Sequence, residues 1–157
     1  MKSVLIILGV GIVIIVGLLI FQNSLKGALG GLIGKQGRVT IQTHVFNVAI
    51  AKTEQEKEIG LSGKTSLKEN SGMIFPFEKE GYYSFWMKDM KFPIDMLFIN
   101  KSRKIVTILK DVQPPKSKTD SLPSFTSTEP ADTVLEIQAG ISDKFNFKIG
   151  DDVIISL

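Results

Sequence analysis

The sequence predicts an α+β, β-rich fold: a twisted antiparallel or mixed sheet, or a small barrel-like domain, of about seven short strands with one or two short helices, preceded by one N-terminal transmembrane helix. Three observations carry this expectation. Beyond residue 37 the apolar residues recur mostly in short alternating runs bounded by Gly, Pro, Asn and Asp, which is the pattern of half-buried strands. Ahead of them lies an unbroken apolar stretch without the polar face of a soluble helix. Cysteine is absent, so the folded part must be held by packing, without disulfides or thiolate metal sites.

Residues 1–3 form an N-terminal tail, and residues 4–21 read VLIILGVGIVIIVGLLIF, with no charge and no hydrogen-bonding side chain. A helix of that length spans roughly 27 Å, close to the ~30 Å hydrocarbon core of a bilayer. The segment therefore reads as a transmembrane anchor. The alternative is a signal peptide cleaved near Ala28-Leu29-Gly30, although cleavable apolar regions usually run only about 7 to 15 residues. The short tail resembles an export signal, which gives a single-pass membrane protein with an extracytoplasmic C-terminal domain; the lysine count on the two flanks mildly favours the opposite orientation. Residues 22–37 follow as a Gly-rich tether, with glycine at 27, 30, 31, 34 and 37.

The globular β-rich domain occupies 38–157. Val39 and Ile41 alternate with polar residues, and Phe46, Val48 and Ile50 alternate in the opposite phase, which places a turn or bulge near His44. Thr53-Glu54-Gln55-Glu56 matches a capping box, and the helix it opens is cut short by Gly60 and Gly63. Glu69 to Gly72 is a turn into a strand over 73–77, and Glu78-Lys79-Glu80-Gly81 reads as a hairpin connection into a strand over 82–87. Residues 94–99 and 104–112 make a second hairpin across Asn100 to Arg103. The Pro/Ser/Thr-rich loop at 113–130 holds four of the six prolines, which neither a ladder nor a helix accommodates, and a loop of that length is expected to be a lid or binding loop. Residues 133–139 return to strand, Ser142 to Phe145 form one helical turn, and 153–157 supply the last strand.

The formal charge of +3 comes from 19 basic and 16 acidic residues, but Lys2, Lys26 and Lys35 precede residue 38 with no acid among them, so the folded part carries 16 of each sign. A neutral domain does not present the clustered cations that phosphate binding needs, and nucleic acid is not an expected partner. The expected partners are the membrane, through the anchor, and an unknown small ligand or envelope protein.

The segment from Phe85 to Asp95 concentrates the only tryptophan with two of the five methionines. Trp86, Lys88, Asp89 and Asp95 are the candidate ligand-binding residues, although aromatic and Met side chains in strands are usually core. Asp95 sits between Ile94 and Met96, and Glu136 between Leu135 and Ile137, so both carboxylates face desolvation unless paired or protonated. Should they share one cleft, they would form an acid/base pair, with Lys88 stabilising charge, and the chain would be a small hydrolase or lyase. The plainer account satisfies each carboxylate with turn amides or Arg103. No G-x-S-x-G elbow or phosphate-cradling glycine loop occurs. Thioethers suit Cu(I), so Met87 and Met90 with His44 are weak metal candidates; Met96 reads as core. No cofactor is expected, and the balance leans away from an enzyme. The leading expectation is a membrane-tethered extracytoplasmic binding or accessory module, with a cleft bordered by Trp86, Lys88, Asp95 and the 113–130 loop.

Several segments taken together carry a family resemblance. Ile59-Gly60-Leu61-Ser62, Gly72-Met73-Ile74-Phe75, Phe85-Trp86-Met87-Lys88, Pro93 through Ile99, Leu135-Glu136 with Gly140 following, and Gly150-Asp151 occur in one order over nearly the whole folded region. Over about residues 45–157 the chain resembles the domain of unknown function 192 family (DUF192), uncharacterised conserved proteins that often carry an export signal or anchor. The family usually follows Trp-Met-Lys with Asn-Thr, where this chain has Asp89 and Met90. The resemblance implies a compact mixed β-rich domain with acidic positions at Asp95 and Glu136, and it implies no reaction.

Overall fold

The computed structural model describes residues 35–117 and 122–157. β1 (Gln36–Ile41) and β2 (His44–Ile50) form an antiparallel hairpin in which Val39 lies opposite Phe46. Gln42, with φ of 53°, turns the chain between them, so the change of phase near His44 is a two-residue turn. β1 begins at Gln36, inside the stretch read from sequence as tether.

β2 next pairs in parallel with β3 (Ser71–Gly81), and a parallel pair needs a crossover. α1 (Glu54–Ile59) lies within that crossover and is capped as the sequence specifies. Thr53 Oγ1 accepts from the Glu56 amide at 3.1 Å, while the Glu56 carboxylate accepts from the Thr53 and Lys52 amides at 2.8 Å each. Those two backbone donors hold the Glu56 carboxyl below its ordinary range.

β3 is longer than the pattern suggested and takes in the residues expected as a hairpin turn. Its other edge pairs antiparallel with β8 (Ala131–Gln138), so both edges are occupied and no room remains for 82–87 beside it. The chain therefore leaves the sheet after Gly81. Only Ser84–Phe85 (β4) is extended there, and it pairs with Phe125–Thr126 (β7), which gives the 113–130 loop a short ladder of its own. β5 (Ile94–Ile99) and β6 (Ile105–Val112) form the expected hairpin, and β9 (Val153–Ser156) closes on β1.

The large sheet thus has seven strands in the order β6-β5-β8-β3-β2-β1-β9. Its two ends meet: the Ile105 amide donates to the Asp151 carbonyl at 3.0 Å and the Val153 amide to the Arg103 carbonyl at 2.8 Å. The sheet is therefore curled into a barrel-like form, which satisfies edge groups that would otherwise be open to other chains. Gly140, with φ of 83°, leads into α2 (Ile141–Lys144) at the end of β8.

One part of the expected fold class requires correction. It included a transmembrane helix, but among the described residues no helix is long and apolar enough to cross a membrane. The longer of the two described helices has six residues. The membrane and signal-anchor assignment therefore has no structural support; the apolar segment at 4–21, and the tether as far as residue 34, lie outside the described residues.

Among the described residues, apolar side chains form two clusters. The inner one draws on all seven strands of the large sheet and includes Ile41, Phe46, Ile74, Leu97, Leu135 and Val153, joined by Ile141 and Phe147. The outer one packs Phe75, Met96, Phe98 and Val134 against Leu61, Met87 and Met90 from the covering segments. β5 consequently has every residue buried, which explains its uninterrupted apolar run.

Gly72 marks the tightest approach between β3 and β8, since a Cβ there would lie 2.7 Å from the Glu136 carbonyl oxygen. Gly72→Ala should destabilise the domain by about 1–3 kcal/mol, the usual cost of overpacking, as a lower urea midpoint. A midpoint equal to wild type would show that β3 and β8 are less closely apposed.

Candidate functional site

Cross-strand partners share a face, and successive residues alternate faces. In the β5–β8 ladder Asp95 lies opposite Ile137, and Met96 lies opposite Glu136. Ile137 belongs to the inner cluster and Met96 to the outer one, so the two carboxylates point to opposite sides of the sheet. No acid/base pair forms between Asp95 and Glu136.

Asp95 is fully buried and fully partnered. Ile94 pairs with Val112 and Met96 with Leu109, so Lys110 and Asp111 together oppose Asp95 in a bulge. The bulge frees the Asp111 amide, which donates to Asp95 Oδ1 at 2.9 Å. The Gly140 amide adds a 3.2 Å bond to the same oxygen, and the Ser142 amide donates to Oδ2 at 2.9 Å. Asp95 is thus a tie joining β5, the end of β6 and the start of α2, in line with the turn-amide account.

Glu136 has the opposite environment. It is 5% exposed, and among the described residues no group hydrogen-bonds its side chain. Burial pushes its carboxyl up to about 8, so at neutral pH it mostly carries a proton and can donate through its O–H. It opens onto a cavity of about 370 Å³. Phe75 and Phe77 of β3 supply one part of the cavity wall, and Tyr83, Phe85 and Trp86 another. The Ile59-Gly60-Leu61-Ser62 run and Met90 complete the apolar lining, while Glu54, Lys57 and Glu58 of α1 bring charge to it. Lys57 pairs with Glu54 at 2.8 Å and lies 4.5 Å from the Phe77 ring centre, whose ring also stacks on Tyr83 at 3.6 Å.

Two hydrogen bonds to main-chain carbonyls tie the covering segments together. Ser62 Oγ donates to the Lys88 carbonyl at 2.8 Å, and the Gly63 amide donates to the Asp89 carbonyl at 3.1 Å. Lys88 and Asp89 thereby meet α1's C-terminal turn through their main chain, while their side chains are exposed and outside the cavity. Among the described residues the cleft expected between Trp86, Lys88, Asp95 and the 113–130 loop does not form, because Asp95 faces the inner core; of the described members of that set only Trp86 lines the cavity. His44 stacks on Phe145 at 3.6 Å beside the inner cluster, whereas Met87 and Met90 pack in the outer one, so the three do not converge on a metal. The sequence reading missed the α1 charges and Phe75, Phe77 and Tyr83. The signal for part of the wall was present, since four of the resemblance segments, around Gly60, Phe75, Trp86 and Glu136, each contribute to it.

Asp95→Asn would aim an amide donor at backbone donors, and it should lower stability by about 3 kcal/mol in urea unfolding, with the emission of Trp86 on the other face unchanged in the folded state. An unchanged midpoint would contradict the tie. Glu136 predicts a pH dependence. Its folded pKa of about 8 exceeds the ordinary 4.5, so the folded state holds the extra proton between these values. Its contribution is complete below pH 4.5 and declines as pH rises to about 8, by at most about 1.4 kcal/mol per unit. Glu136→Gln should flatten that decline in thermal unfolding between pH 5 and 8; an unaltered slope would assign it to other groups.

Comparisons with known proteins agree with this architecture. A protein of unknown function from Novosphingobium aromaticivorans is 30% identical, with a TM-score of 0.67 over 76% of this chain and 83% of that one. A putative transcription regulator from Sinorhizobium meliloti is 29% identical, with a TM-score of 0.67 over 76% of this chain and 92% of that one. Among curated proteins no significant match is found. Residues 37–155 match the family DUF192, Uncharacterized ACR, and with that span the chain belongs to it.

Proposed function

We propose that the domain is a small-molecule binding module whose site is the cavity over Glu136. The observation that carries this reading is a buried carboxyl without a hydrogen-bond partner among the described residues, opening onto a concave, largely aromatic wall. Ligand sites commonly combine an apolar lining with a few convergent polar groups, and leaving such a group unpaired costs stability that a ligand can recover. An acid/base enzyme built on Asp95 and Glu136 has the sheet between its two groups and is not favoured. The Sinorhizobium protein's description as a putative transcription regulator brings nucleic acid into view, but residues 38–157 carry 16 charges of each sign, which does not favour phosphate binding.

Trp86 is the sole tryptophan, lines the cavity and is half exposed, so its emission reports occupancy directly. Titration with tert-butylbenzene or cyclohexanol should give a saturable change in that emission. Absence of a saturable change with both probes would sink the proposal.

A further inference from the structure

Which ligand chemistry suits this cavity follows from its charges and rings together. Three of the four acidic or basic side chains at the wall besides Tyr83 are carboxyls: Glu54, Glu58 and Glu136. The fourth, Lys57, is already matched with Glu54 at 2.8 Å. Glu58 forms no ion pair among the described residues, and Glu136, 5% exposed, has no hydrogen-bond partner there either. Glu58 therefore leaves a negative surplus at the wall, and Glu136 adds a carboxyl at the buried end that can ionise against a cation. The aromatic wall also holds a cation within the protein itself, since the Lys57 ammonium lies 4.5 Å from the centre of the Phe77 ring. A positive charge near an aromatic face is attracted by the ring quadrupole, more strongly where water is excluded.

We propose that the cavity takes an organic ammonium ion, with its apolar body against Phe85 and Trp86 and its positive nitrogen beside the Glu136 carboxyl. This rests on the binding-module reading above and narrows it to a ligand class. A neutral ligand would leave Glu136 protonated. A permanent cation instead favours the carboxylate, so binding near neutral pH releases the Glu136 proton to solvent, and affinity rises with pH until that group is ionised in the free protein. The other titratable groups at the wall are Glu54, Lys57, Glu58 and Tyr83, and all four remain in a Glu136→Gln variant.

The test compares phenyltrimethylammonium with its uncharged isostere tert-butylbenzene on the full chain, following Trp86 emission between pH 6 and 9. For the cation, the association constant should rise close to tenfold from pH 6 to 7 and level off above about pH 8. The isostere should show no such rise, and Glu136→Gln should make the cation's affinity independent of pH over this range. The wild-type slope decides the matter alone if the variant fails to fold. Binding of tert-butylbenzene with a cation affinity that is absent, flat or falling with pH would overturn the ammonium assignment and leave the cavity as a ligand site. Failure of both probes would overturn the cavity reading itself.

Discussion

The pleat of β5 and β8 is the constraint from which the remaining features follow. These neighbouring strands have apolar side chains buried on both faces, and alternation sends every second residue to the opposite side. Two acids placed one register step apart thereby enter different environments. Asp95, on the inner face, accepts hydrogen bonds from three backbone amides, which supply the polar partners that burial took away. Glu136, on the outer face, meets none among the described residues, and burial is offset by keeping the proton. One carboxyl becomes a structural tie and the other an available group.

What covers the outer face determines whether that group can be reached. A long helix laid across the sheet would have buried Glu136 completely. Instead the cover consists of the six-residue α1, the irregular run through Trp86 to Met90, and the two-residue ladder of β4 and β7. Short elements joined by a few hydrogen bonds to main-chain carbonyls, such as Ser62 Oγ to the Lys88 carbonyl, leave a gap where they meet. Aromatic side chains on either side of the gap, among them Phe77 stacked on Tyr83, form a defined wall.

Features encoded within a few residues were legible. The capping box at Thr53 and Glu56 contains both halves of its hydrogen-bond exchange, so α1 could be placed from four residues. The hairpin of β5 and β6 likewise followed from two apolar runs and a polar connection. Glu136 and Trp86 could be singled out because a lone acid in an apolar strand and a lone tryptophan near charged residues are conspicuous. The expected hairpin at 78–81 depended on whether the free edge of β3 was available, and β8, some fifty positions later, had taken it. The partners of Asp95 were hidden for a similar reason: a bulge in β6 and the start of α2 are brought to it by strand pairing.

The sequence by itself determined the local units and the family: period-two runs, the helix cap, and the absence of cysteine act through neighbouring residues or composition, and none needs a distant partner. Tertiary structure decided the strand order, the closure of the sheet, and the separation of Asp95 from Glu136. The physical reason is register. A shift of one residue between β5 and β8 would exchange the faces of every side chain on one strand, so which acid meets backbone amides and which opens onto the aromatic cavity is a property of the pairing.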